Sequence, residues 1–170
     1  FVLAKVERGN EKAKASLLLR YNGYNDEIEI GKSTTQETSE EALLKDKNLR
    51  ATFNNKTYQY KKFESKKGET TDGYLILLFK GENYQLYRQD KKKLSEGRLA
   101  KTSLDKDIAP RFRDVPSFYL AEGNSLPNEI DLKMKSIRKQ LRSEDVLKSK
   151  GIKKIKSEEK LIAFLKSLEQ

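Results

Sequence analysis

The sequence predicts an α+β fold: an antiparallel β-meander sheet, with a strongly curved or barrel-like form as one option, followed by two to three C-terminal helices. Three observations predict it. Through residue 126 the apolar residues fall in short alternating runs separated by Gly-, Asn- and Asp-containing turns. After Pro127 the apolar spacing changes to that of a helix. Hydrophobic residues are 35% of the chain and charged residues 36%, a polar composition, yet the apolar ones are blocked rather than scattered, which argues for a small core and against disorder. At 170 residues we expect one domain spanning 1–170, mainly β over 1–126, with a helical region, 127–170, packed on it.

Taken in order, Phe1 to Val6 and Ala15 to Tyr21 are short extended candidates, and Glu27 to Ile30 alternates after the turn-like Asn22-Gly23-Tyr24-Asn25-Asp26. Ser33 to Glu41 is polar and loop-like, although Thr38 and Glu41 have capping-box spacing and allow one helical turn. Leu49 to Phe53 and Thr57 to Tyr60 flank Asn54-Asn55-Lys56, a hairpin signal that puts Tyr58 and Tyr60 on one face. The clearest hairpin pairs Gly73 to Phe79, a strand apolar on both faces, with Tyr84 to Arg88 across Lys80-Gly81-Glu82-Asn83. Arg98 to Lys101 and Ser117 to Leu120 are further strand candidates, and Arg111 and Arg113 flank Phe112 in a segment stiffened by Pro110 and Pro116. Ile130, Met134, Ile137 and Leu141 form one helical stripe. Ser143 to Lys150 suggests a short helix ending at Gly151, and Ser157 caps a last helix whose apolar face is Leu161, Ile162, Leu165 and Leu168.

The chain has no His, Cys or Trp. That removes Ser-His-Asp and Cys nucleophile chemistry and the usual zinc and haem ligands, so we expect no catalytic residues, no metal site and no cofactor. Two Ser-x-x-Lys matches, Ser136/Lys139 and Ser157/Lys160, are what chance gives in a chain so rich in Ser and Lys. Asp72 to Phe79 resembles the RNA-binding octamer of RRM domains but lacks its basic and stacking residues. Tyr58 to Phe63, with Lys61 and Lys62, reads as sheet packing ahead of a base-stacking platform. The longest apolar run, Tyr74 to Phe79, is far short of the roughly 20 residues that a membrane-spanning helix needs.

Net charge is +10, from 36 Lys+Arg against 26 Asp+Glu. Most of it lies between 135 and 156, where Lys135, Arg138, Lys139, Arg142, Lys148, Lys150, Lys153, Lys154 and Lys156 face two acids. This run is the candidate polyanion-binding patch, for an anionic envelope polymer, a membrane surface or, less favoured, nucleic acid. Its plainer reading is the solvated side of Lys-rich helices, which the 27 Lys against 9 Arg favour, because shaped phosphate sites recruit Arg.

Leu19 to Ile30, Gly73-Tyr74 leading into Phe79 to Tyr87, and Lys101-Thr102-Ser103-Leu104 running to Pro110-Arg111-Phe112 resemble segments of a group of uncharacterised exported proteins from Bacteroidetes-type bacteria. The resemblance implies a cleaved signal peptide and an envelope or periplasmic location, and attaches no chemistry to any residue. The leading expectation is a non-enzymatic exported envelope protein acting by binding. The alternatives are a basic module binding nucleic acid or another polyanion, and a carboxylate-based hydrolase of envelope carbohydrate.

Overall fold

The computed structural model of the chain describes residues 1–9, 11–12, 16–102, 104–141 and 155–169. Twelve strands come first: β1 Val2–Arg8, β2 Glu11–Lys12, β3 Leu17–Asn22, β4 Glu27–Gly31, β5 Leu49–Phe53, β6 Lys56–Glu64, β7 Thr70–Lys80, β8 Tyr84–Gln89, β9 Lys92–Ser95, β10 Arg111–Asp114, β11 Ser117–Glu122 and β12 Asn128–Ile130. Helices α1, Met134–Gln140, and α2, Glu158–Ser167, follow. The fold is thus α+β with a curled sheet ahead of its helices.

One sheet runs β12-β11-β8-β7-β6-β5-β1-β3-β4, with β2 beside β1. It curls twice. A parallel bridge from Asn128 to Glu64 joins β12 to β6 and closes β6, β7, β8, β11 and β12 into a ring. At the other end the β3–β4 hairpin swings back onto β7 and β8. Strand β7 serves both curls, which explains its unbroken apolar run: Leu75 packs with Phe63, Tyr87 and Tyr119 inside the ring, while Tyr74 and Ile76 pack with Leu19, Ile28, Phe53 and Tyr58 under the second curl. A two-residue loop of Asn54 and Asn55, both at positive φ (50° and 57°), turns β5 into β6 and sets the register Phe53 to Lys56.

The return of the β3–β4 hairpin hinges on Asp26. Strands β7 and β8 stay paired down to Ile76 and Arg88 and then diverge, leaving the Tyr74 N–H without a strand partner. Asp26, held in the left-handed region at φ 55°, fills the split. Its carboxylate accepts from Tyr74 N at 3.2 Å, from the Tyr21 hydroxyl at 2.7 Å and from Gln89 Nε2 at 3.4 Å. Gln89 in turn accepts from the Tyr119 hydroxyl at 3.1 Å. Gly73 makes the space: a Cβ there would lie 2.5 Å from Asp26 Oδ2 and 2.7 Å from Gln89 Nε2.

The helices cover the outer face of β8 and β11. Leu161, Phe164 and Leu165 of α2 bury against Tyr84, Leu86, Leu120, Ile130 and Ile137. Ser157 caps α2, its hydroxyl accepting from Lys160 N, with Glu158 and Glu159 in the first turn. Past the end of α2, the Glu169 carboxylate accepts the backbone N–H groups of Glu82, Asn83 and Tyr84 at 2.8, 2.8 and 2.9 Å.

Several expectations need correction. The stripe from Ile130 to Leu141 is not one helix, because Ile130 pairs with Phe118 in the sheet and α1 is only seven residues long. Ile130, Ile137 and Leu141 are nonetheless buried in one core, so the apolar spacing marked the right residues while strand pairing with β11 took Ile130 from the helix. Strand β12 also lies beyond residue 126, where the helical region was expected to begin. No helical turn follows Thr38; Ala42 instead bridges Glu29 beside β4. Arg98 to Lys101 reduces to a single bridge from Arg98 to Ile108. The suggested helix over Ser143 to Lys150 lies outside the described residues.

Asp26→Asn keeps the left-handed backbone accessible but turns one acceptor into a donor facing other donors. We expect denaturant titration to show a loss of about 1–3 kcal/mol, the cost of an unsatisfied buried polar group. Gly73→Ala should cost a similar amount by overpacking the same point. Leu165→Ala should cost about 2–5 kcal/mol; an unchanged unfolding midpoint would mean that α2 is not docked.

Candidate functional site

Because the β3–β4 hairpin comes back toward β8, a cleft of about 630 Å³ opens between the start of β1, β3, the β5–β6 turn, the end of β8 and the start of β9. Its wall is aromatic. Phe53 and Tyr58 stack at 4.6 Å between ring centres, and Tyr21 leans on Tyr58 at 5.1 Å. Phe1 and Phe118 also line it. Gly23 seats the hairpin against the chain at Asp90, where Lys92 N–H donates to the Gly23 carbonyl at 2.8 Å.

The polar floor is an ion-pair cluster. Asp90 accepts from Arg88 Nε at 2.6 Å and from Lys56 Nζ at 2.8 Å, and Arg88 Nη1 donates to Glu158 of α2 at 2.5 Å. Burial pushes the Asp90 carboxyl up, but the hydrogen bonds from Arg88 and Lys56 outweigh it and hold its pKa below the ordinary value. Burial likewise works against the Arg88 charge, and its contacts with Asp90 and Glu158 reverse the effect and raise its pKa. At the rim, Arg20 donates to Glu29 at 2.6 Å and lies over the Phe1 ring at 4.4 Å, while Lys92 pairs with Asp114 at 3.4 Å. Lys91 lines the cleft and enters no ion pair among the described residues.

A second, smaller cleft of about 360 Å³ lies at the opening of the strand ring, between Tyr60, Lys61, Lys62, Tyr87 and the turn after β11. Lys61 sits over the Tyr87 ring at 5.5 Å. Burial, reinforced by the charges of Arg50 and Lys80, lowers its pKa. Tyr58 and Tyr60 both turn to the core under the second curl, Tyr60 meeting Tyr74 edge-on at 5.2 Å, so the aromatic run is sheet packing with Tyr60 half-exposed at a cleft.

The described residues of the predicted basic patch line neither cleft. Lys135, Arg138 and Lys139 are exposed on α1, and Lys156 is exposed ahead of α2. Arg142, Lys148, Lys150, Lys153 and Lys154 lie outside the described residues. Of the Ser-x-x-Lys pairs, Ser157 is the helix cap and the Ser136 hydroxyl accepts from Asp131 N at 3.0 Å. Among the described residues no group of acids is placed to hold a metal ion, and no helix is long and apolar enough to cross a membrane. Sequence reasoning missed Arg88, Asp90 and Glu158 altogether. Arg88 and Asp90 sit together at the end of β8, but Glu158 and Lys56 come from two other segments, and only folding brings the cluster together. The chain matches no family model, no curated protein and no solved structure.

Four tyrosines record the dryness of this region. Burial, with the nearby carboxylates of Asp90, Asp26 and Glu129 respectively, pushes Tyr58, Tyr74 and Tyr119 up to about 12 from 10.0. Burial and Asp26 push Tyr21 higher still. Above the unfolded value of 10.0 the unfolded chain sheds phenol protons that the native state keeps. Stability, complete below that value, should therefore fall as pH rises through the folded values. Comparing unfolding free energies near neutrality and at about pH 11 checks this; phenolate absorbance that develops fully before the protein unfolds would contradict it.

Proposed function

We propose that this is a non-enzymatic binding protein of the bacterial envelope, exported to its place of work, and that its ligand is an organic anion with a flat apolar body held in the aromatic cleft. The observation that carries this reading is the state of the cleft's charges. Asp90, Glu29 and Glu158 are each held in a short, partly buried pair with a cation and act as fixed struts rather than as a free acid and base, while Asp114 pairs with Lys92 at the surface. With Glu29 and Glu158 counted, five cations stand against four acids, and the excess is Lys91, beside a wall of stacked rings. Such a site attracts negative charge and offers apolar faces to pack on. The envelope location draws its support from the sequence resemblance. Hydrolysis of carbohydrate draws less, because it needs two unengaged carboxyls facing each other. A polyanion reading draws support from the second cleft, which is lined by Lys47, Lys61 and Lys62 and by no acid.

Anilinonaphthalene sulfonate, an aromatic anion whose fluorescence rises in apolar sites, is a direct probe. We expect saturable one-to-one binding to the native protein, weakened about tenfold by Lys91→Glu at an unchanged melting temperature. No saturable binding, or equal binding by the variant, would sink the cleft as the site. Recovery of the native protein in the cytosol on fractionation would sink the envelope location separately.

A further inference from the structure

Five of the eight large apolar side chains that are exposed among the described residues lie in one short stretch: Leu94, Leu99, Leu104, Ile108 and Phe112. A sixth, Tyr24, touches Phe112 edge-on at 5.2 Å. The stretch is a separate arm, built on the two-stranded ribbon of β9 and β10 that branches from the rim of the cleft.

The arm is shaped rather than loose. Leu94 faces Phe112 across the ribbon, so the two share one face, while Lys93 faces Arg113 on the other. Beyond the ribbon, Arg98 and Ile108 exchange both backbone hydrogen bonds at 2.8 Å. Gly97 allows this closeness, since a Cβ there would lie 2.6 Å from the Ile108 carbonyl oxygen and 2.8 Å from Pro110 Cδ. At the tip the Asp107 side chain accepts from Ala100 N at 2.7 Å, which closes the turn and leaves Leu99 79% and Leu104 94% exposed. A solvent-exposed two-stranded ribbon carrying such side chains is marginal in water and gains by burying them.

The charges identify what buries them. Between residues 91 and 114 eight basic residues stand against four acidic ones, and in the ribbon Lys93, Arg111 and Arg113 back the face that carries Leu94 and Phe112, while Arg98 precedes Leu99 toward the turn. Long cationic side chains lie along apolar surface and carry their charge outward to a polar boundary. Leu99 and Leu104 stand exposed at the turn that the ribbon carries. We propose that the β9–β10 arm is a peripheral membrane anchor that dips Leu99 and Leu104 into the headgroup boundary of an anionic lipid surface. The proposal rests on the envelope location above and adds its partner.

The experiment is co-sedimentation of the full chain with vesicles of phosphatidylglycerol mixed with phosphatidylcholine, against phosphatidylcholine alone. We expect preferential binding to the anionic vesicles that weakens as salt is raised, and a loss of about tenfold or more in the double variant Leu99→Glu, Leu104→Glu. Both positions are exposed, so melting temperature and anilinonaphthalene sulfonate binding should stay native, which separates failure of the anchor from failure of the cleft. No binding to anionic vesicles, or equal binding by the double variant, overturns the proposal. So does sedimentation equilibrium showing a native dimer that the double variant dissociates without any vesicle binding, because the arm would then join two copies of the chain.

Discussion

A carboxylate in a left-handed turn holds the β3–β4 end of the sheet to its interior strands β7 and β8. The path from β8 to β4 is too long to stay flat and also bury both faces of β7, so the far hairpin has to return, and something must satisfy the backbone where β7 and β8 separate. Asp26 does this with one side chain, meeting donors from three other segments. Each partner is restricted by packing, and the low local dielectric makes a missing hydrogen bond costly. The aromatic wall follows from the same point, because Tyr21 is placed by its bond to Asp26 and Tyr58 by its stacking on Tyr21 and Phe53. The cleft is therefore a by-product of how the sheet closes.

The Arg88 cluster connects the helices to that cleft. Glu158 is both a favourable acid in the first turn of α2 and the second carboxylate on Arg88, so helix position and cleft floor are set together. Desolvation offsets much of the Coulomb gain in partly buried pairs, and their main effect is to fix one arrangement among otherwise similar ones. Here the arrangement selected places an amphipathic helix of ordinary apolar pattern on the outer face of β8 and β11 and nowhere else.

The local part of this fold was legible in the sequence. The β5–β6 and β7–β8 hairpins, the doubly apolar β7 and the Ser157 cap all depend on neighbours within a few positions, which is what periodicity and turn chemistry report. Ile130 shows the limit: its spacing fits a helix as well as a buried strand end, and pairing with Phe118 decided between them. The cleft was illegible for the same physical reason. Lys56, Asp90 and Glu158 are ordinary surface-type residues in three unrelated segments, and a run of charge such as 135–156 is visible only because it is contiguous. Proximity in sequence signals charge density, whereas a site needs convergence in space.

The Glu169 clasp also sets an order of assembly. The three backbone donors of the β7–β8 turn find their acceptor 85 to 87 positions later, and Arg88 finds Glu158 only 70 positions on. During synthesis the hairpin at 73–88 thus emerges long before the groups that complete it, and loop closure over such distances makes folding slow relative to chains stabilised by local contacts. A half-made chain has its strands but lacks the cover for Tyr84, Leu86 and Leu120. The core over β8 and β11 is consequently completed only when α2 docks, late relative to the hairpin that it covers.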